Sequence, residues 1–175
     1  MSRELFTADG ARKYLTADEL DRFIAAAQRQ ERAEVRSFCL VLAQTGCRIS
    51  EALELTAGRV DLSEGTVTVR TMKQTSEKKR LEEAKNRFRS IPLPDATMDT
   101  LELVHSIRKA RRGRRANDRL WSWGRTQAWK LVKQVLVDAE VDGPHATPKG
   151  LRHGFGVRAI QKTRNPRLVQ KWLGH

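Results

Sequence analysis

The chain has 175 residues, a length that fits one domain able to bury its own core. Hydrophobic residues make up 39 % and charged residues 31 %, and 34 Lys and Arg against 21 Asp and Glu give a formal charge of +13. Two cysteines are too few for a disulfide framework, no apolar run approaches the ~18 residues of a membrane span, and the opening MSRELFTADGARKYL lacks the apolar stretch of a secretion signal. A soluble, cytoplasmic, strongly basic single domain over 1–175 is the expectation.

Thr16-Ala17-Asp18-Glu19 reads as a capping box, and Leu20, Phe23, Ile24 and Ala27 repeat at helical spacing behind it, which predicts a helix from Ala17 to Gln30. Val35, Phe38, Cys39 and Leu42 predict a second helix that ends at Thr45-Gly46, where glycine suits the left-handed position. Ser50 is placed to cap a short third helix through Leu55. The period then changes to two: Val60 and Leu62, a Ser63-Glu64-Gly65 turn, Val67 and Val69, and a third strand at Ile91 and Leu93. The polar stretch 74–85 between the last two strands reads as a long hairpin loop. Leu101, Val104 and Ile107 predict a helix running out into Arg111-Arg112-Gly113-Arg114-Arg115. Trp129, Val132, Leu136 and Ala139 mark another, ended by Asp142-Gly143-Pro144. Pro148 suits the first turn of the next helix, and Asn165-Pro166 opens a last one carrying Leu168, Val169, Trp172 and Leu173. The fold class is α+β, mainly α-helical, with a small three-stranded antiparallel sheet.

The charge is uneven. Residues 1–64 carry 9 basic and 11 acidic side chains, whereas residues 65–175 carry 25 and 10. No acid follows Asp142, while Lys149, Arg152, Arg158, Lys162, Arg164, Arg167 and Lys171 do. Such a one-signed field predicts a polyanionic partner; the alternative, a basic surface kept for solubility, needs far less charge. The four histidines, 105, 145, 153 and 175, show no metal-ligand spacing, and no nucleotide-binding glycine motif is present, so no metal and no cofactor are expected. Cys39, on an apolar helix face, reads as a packing residue.

What remains is a set of cations at structurally defined points. Arg48 follows the Thr45-Gly46-Cys47 turn as a new helix begins, and Lys73 stands where a strand gives way to the hairpin loop. Lys149 and Arg152 are three apart, on one face of a helix, and His175 follows Leu173-Gly174. Singly each reads as a surface charge; together they would form a phosphate clamp, because the planar guanidinium fork grips two phosphate oxygens at once.

Three segments, TGCRISEALEL (45–55), TPKGLRHGFGV (147–157) and LVQKWLGH (168–175), with the hairpin VTVRTMK…RFRSIPLP between the first two, resemble the catalytic domain of the tyrosine recombinases, the phage integrase family. The likeness covers 15–175. It implies the fold of that catalytic domain and DNA strand cleavage and rejoining through a 3′-phosphotyrosyl intermediate, as in DNA integration and site-specific recombination, with double-stranded DNA as partner. By the resemblance Arg48 and Arg152 hold the scissile phosphate, and Glu51 supports the site. Lys73, or else Lys85, protonates the leaving 5′ oxygen, and His175 bonds a phosphate oxygen. His153 gives structural support. Lys149 stands where the family usually has a histidine; a lysine there is a poor base at neutral pH unless its pKa falls. Arg70, Lys78, Lys79, Arg80 and Lys85 of the hairpin, with Arg111, Arg112, Arg114 and Arg115, are expected on the DNA backbone; the last four also read as a localisation signal or as cations facing their own helix dipole.

The family's attacking tyrosine follows the LGH segment, and the sole tyrosine of this sequence is Tyr14, ahead of the first helix. The expectation is therefore a catalytic domain cut short before its nucleophile, without the helical DNA-binding domain that such enzymes carry in front. It would be inactive alone and a monomer, where the full enzyme is a tetramer on DNA in the nucleoid. The rival reading is a non-catalytic DNA-binding accessory module derived from a recombinase.

Overall fold

The computed structural model describes residues 5–72 and 88–175. Helices α1 (Ala17–Gln28), α2 (Ala33–Thr45) and α3 (Ile49–Leu53) lead through a 3₁₀ turn (Ala57–Arg59) into strands β1 (Val60–Asp61), β2 (Thr66–Arg70) and β3 (Phe88–Pro92). Helices α4 (Asp95–His105), α5 (Ile107–Arg112), a 3₁₀ turn (Arg114–Asn117), α6 (Arg125–Asp138), α7 (Pro148–Thr163) and α8 (Pro166–Leu173) follow. The strands form one antiparallel sheet in the order β1-β2-β3, with Val67 opposite Ile91 and Arg70 opposite Phe88.

Helix α2 is buried nearly all round: Val35, Phe38, Cys39, Leu40, Val41, Leu42 and Ala43 are all inside, as a helix at the centre of a core must be. Helices α1, α4 and α7 pack around it. Phe38 takes Trp121 and Trp123 edge-on, with ring centroids 5.0 and 5.5 Å away. Trp121 Nε1 donates to Ser37 Oγ at 3.0 Å, and Ser37 Oγ stands 2.8 Å from His105 Nε2. Burial pushes the His105 pKa down to about 4, so that ring is neutral at physiological pH. A second, smaller cluster (Phe155, Ala159 and Val169, with Trp172 and Leu173) joins α8 to α7.

Three local readings hold closely. The Thr16–Glu19 capping box forms in full, Gly46 ends α2 at φ 65°, and Pro148 sits in the first turn of α7 behind the Thr147 cap. Gly46 is doubly constrained, because a Cβ there would stand 2.3 Å from Phe155 Cδ1. Two readings are corrected. Ser50 lies inside α3; the cap position is Arg48, and its N–H is taken by the Glu51 carboxylate at 2.9 Å instead of by a serine hydroxyl. The single helix expected through Leu101 and Ile107 is two, because Ser106 at φ 51° turns the chain between α4 and α5. The loop 74–85 lies outside the described residues. Among the described residues no helix is long and apolar enough to cross a membrane.

The start of α1 is also a long-range clamp. Arg12 Nη1 donates to Glu19 Oε2 at 2.6 Å, and His145 Nε2 stands 3.0 Å from Glu19 Oε1. Leu15 N–H donates to the Gly150 carbonyl, so this segment is tied to the first turn of α7. Burial alone would raise the Glu19 carboxyl, but Arg12, the Thr16 N–H and His145 outweigh it and bring the pKa from 4.5 to about 2. A carboxyl depressed on folding adds stability that is complete above its unfolded pKa and lost as pH falls through the folded one. Urea unfolding should accordingly show stability declining between about pH 4.5 and pH 2. Glu19→Gln should cost ~2 kcal/mol at neutral pH and flatten that acid limb; an unchanged limb would remove Glu19 from the clamp.

Candidate functional site

The three sequence segments singled out above meet at one guanidinium. Arg152, in the second turn of α7, is 8 % exposed. Its Nη1 donates to the Gly46 carbonyl at 2.6 Å, at the end of α2, and its Nη2 donates to the Leu173 carbonyl at 2.6 Å, at the end of α8. His175 Nε2 stands 3.5 Å from Nη2. Burial, then the charge of Arg48, lowers the Arg152 pKa to about 10, so it stays charged at neutral pH.

Arg48 caps α3 two residues after Gly46. Its Nη1 donates to Glu51 Oε1 at 3.1 Å, and 39 % of its side chain remains exposed. Glu51 is fully buried. Besides Arg48, it receives Arg89 Nη2 at 2.7 Å and the Met72 N–H at 3.4 Å. Burial would raise this carboxyl, but the Arg89 hydrogen bonds, the Arg48 N–H and both positive charges hold it below the usual carboxylate range.

Arg89 is the residue that sequence reasoning missed. By sequence it is one more cation near the hairpin, yet it is 5 % exposed and lies on the inward face of β3 with Ile91. The period-2 pattern that places Ile91 inside places Arg89 beside it, and that was the available signal. The cluster thus holds three guanidiniums (Arg48, Arg89, Arg152) and one carboxylate (Glu51), a formal excess of two positive charges. A phosphodiester anion matches it in sign, and guanidinium forks match it in geometry.

Other expected residues fall elsewhere. Lys149 is exposed at the start of α7, one turn before Arg152, and among the described residues no hydrogen bond ties its ammonium to the cluster. His153 is half-buried next to Arg152. Lys73, Lys78, Lys79, Arg80 and Lys85 lie outside the described residues. Arg70 is exposed at the end of β2. Arg112, Arg114 and Arg115 are exposed beside the 3₁₀ turn 57–59, and Arg111 bonds the Val60 carbonyl. The last four therefore sit at the β1 side of the sheet, whereas α8 packs on β3. Arg111 thus also fastens α5 to the sheet.

The family profile described as the phage integrase family matches residues 13–175. The chain belongs to this family. Its architecture is that of tyrosine recombinase catalytic domains. Among similar proteins are the tyrosine recombinase XerD of Vibrio vulnificus (strain YJ016), 27 % identical over 172 residues, covering 93 % of this chain and 52 % of XerD. The type 1 fimbriae regulatory protein FimE of Escherichia coli (strain K12) is 29 % identical over 170 residues, covering 94 % of this chain and 80 % of FimE. The chain thus spans about half the length of the XerD relatives it matches. Among solved structures, that of XerA recombinase superimposes with a TM-score of 0.72 at 24 % identity over 93 % of this chain and 56 % of the other. The catalytic domain of bacteriophage HP1 integrase gives 0.62 at 20 %, over 93 % and 80 %.

Within the integrase fold, the end of α2 with α3, the start of α7, and α8 carry the three family-like segments, and the Arg152 bonds join all three. An anion lodged between Arg48 and Arg152 should stabilise the folded chain. Inorganic phosphate at about ten times its dissociation constant should add ~1.4 kcal/mol, read as a rise in melting temperature, and Arg48→Ala should abolish the rise. An equal rise in that variant would place the anion elsewhere.

Proposed function

We propose that this chain is the phosphate-activating part of a site-specific tyrosine recombinase, acting on double-stranded DNA. In that reaction a tyrosine oxygen attacks a phosphodiester in line, forming a 3′-phosphotyrosyl bond and expelling a 5′-hydroxyl; the reverse attack on another strand rejoins the DNA. The phosphodiester energy stays in the covalent intermediate, so no nucleotide cofactor is needed. Support comes above all from one observation: the Arg152 guanidinium spans the Gly46 and Leu173 carbonyls with His175 Nε2 3.5 Å away, and the Arg48 charge is close enough to lower its pKa.

In this reading Arg48 and Arg152 bind the non-bridging oxygens and stabilise the charge that grows on them at the five-coordinate phosphorus. A single preorganised donor in such a site is typically worth ~3–4 kcal/mol. His175 adds a third donor, and Lys149, exposed one turn before Arg152, serves as a phosphate cation more readily than as a base. The leaving oxygen takes its proton from the hairpin lysine, Lys73 or Lys85. Arg70, Arg112, Arg114 and Arg115 hold the duplex backbone on either side. Assembly as a tetramer on paired DNA sites, within the nucleoid, belongs to the same proposal. The DNA reading draws on structural neighbours such as XerH recombinase, solved bound to its difH substrate, which matches with a TM-score of 0.68 at 23 % identity over 93 % of this chain and 47 % of XerH.

Tyr14 is not assigned as the nucleophile. Its ring packs edge-on against Phe6 at 6.1 Å, with the Arg12 guanidinium 5.6 Å from its centroid. Incubating the 175-residue chain with a nicked duplex that traps covalent intermediates should yield no adduct; an adduct lost in Tyr14→Phe would overturn this assignment.

Duplex binding tests the broader reading. With six to ten phosphates contacted, affinity should fall about 10³–10⁵-fold between roughly 50 and 200 mM salt. Arg48→Ala should reduce the slope of log affinity against log salt by about 1. Binding indifferent to salt, or an unchanged slope in the variant, would count against a phosphate role for the cluster.

A further inference from the structure

We propose that Arg89 is a positioning residue: it touches no substrate, but holds Glu51, the base of the hairpin and the last turn of α8 around one guanidinium, and so sets the shape of the phosphate pocket. The inference rests on the recombinase reading for the pocket's purpose, but not for its geometry.

Each side of the Arg89 fork serves a different segment. Nη2 donates to Glu51 Oε2 at 2.7 Å, Nη1 to Thr71 Oγ1 at 2.9 Å, and Nε to the Trp172 carbonyl at 2.6 Å. Glu51 in turn holds the Arg48 N–H and guanidinium, Thr71 stands two residues before Lys73, and Trp172 stands three before His175. Every group assigned to the phosphate except those on α7 is therefore one or two bonds, or a few residues, from Arg89. Arg152 covers the remainder through Gly46 and Leu173.

The two arginines divide the end of α8 between them. A helix leaves its last carbonyls without intrahelical donors; here Trp172 gives its oxygen to Arg89 and Leu173 gives its oxygen to Arg152. The chain then turns at Gly174, where φ is 73° and a Cβ would lie 3.0 Å from Arg89 Nη1. The turn that delivers His175 is thus built directly against the Arg89 guanidinium. A lysine has one compact charged nitrogen and cannot reach all three directions, so charge alone does not substitute for the fork.

The decisive variant is Arg89→Lys, which keeps a cation beside Glu51 and loses the bond to Trp172. Amide hydrogen exchange should rise at least tenfold in residues 166–175 while α1 and α2 keep native protection. Affinity for inorganic phosphate, measured where the variant is folded, should drop about tenfold. Exchange rising equally through α1, α2 and α8 would show a merely structural residue, and native exchange in 166–175 would remove the positioning role; either result overturns the proposal. If the lysine variant does not fold, Arg89→Gln with Glu51→Gln removes the buried charges together, and the same selective rise in 166–175 decides. Failure of the unaltered chain to bind phosphate would instead fell the recombinase reading, with the exchange comparison still deciding on Arg89.

Discussion

The site depends on one interaction: a buried cation wedged between the carboxyl ends of two helices. Arg152 gives one N–H to the Gly46 carbonyl at the end of α2 and another to the Leu173 carbonyl at the end of α8. Helix carboxyl ends carry partial negative charge and unsatisfied oxygens, so the guanidinium finds both electrostatic and hydrogen-bonding compensation for leaving water. Burial and the neighbouring Arg48 lower its pKa, yet at about 10 it remains charged. The same bonds that make its burial tolerable bring together stretches of chain more than a hundred residues apart.

Around this point the charge pattern of the sequence resolves into two populations. Within the acidic first third Asp9, Asp18, Glu31, Glu34 and Glu64 stay exposed, but three carboxylates reach cations from later in the chain. Glu19 takes Arg12 and His145, Asp21 takes Arg158 of α7, and Glu51 takes Arg89 of β3. Several early carboxylates thus fasten the first helices to later cations. What is left over is the outward-facing surplus, including Arg70 at the end of the hairpin and Arg112, Arg114 and Arg115 beside the 3₁₀ turn 57–59.

Much of the architecture was legible because it is written in short-range chemistry. The Thr16–Glu19 box, Gly46 and Pro148 each act within one turn of chain, and the apolar periods of two and 3.6 located sheet and helices. The failures share a cause. Arg48 caps α3 only because Glu51, held by a strand 38 residues away, turns its carboxylate toward the backbone. Arg89 looks like one more hairpin cation until tertiary contacts remove it from water. Ser106 adopts a left-handed turn without being Gly, Asn or Asp, so no local signal marked the break between α4 and α5. Residue type and order singled out Arg48, Arg152 and His175, the resemblance added Glu51, and the fold supplied bonds among them.

Gly46 has a consequence for how this domain tolerates change. Its positive φ, its missing Cβ against Phe155 and its carbonyl offered to Arg152 are three separate demands on one position. Alanine fails the first two, and any replacement that shifts the peptide plane fails the third. The position is therefore as intolerant of drift as a ligand-contacting one, although it has no side chain with which to touch a ligand. A screen that scores importance by chemical functionality would pass over it, while one that scores survival under random substitution would rank it beside the arginines.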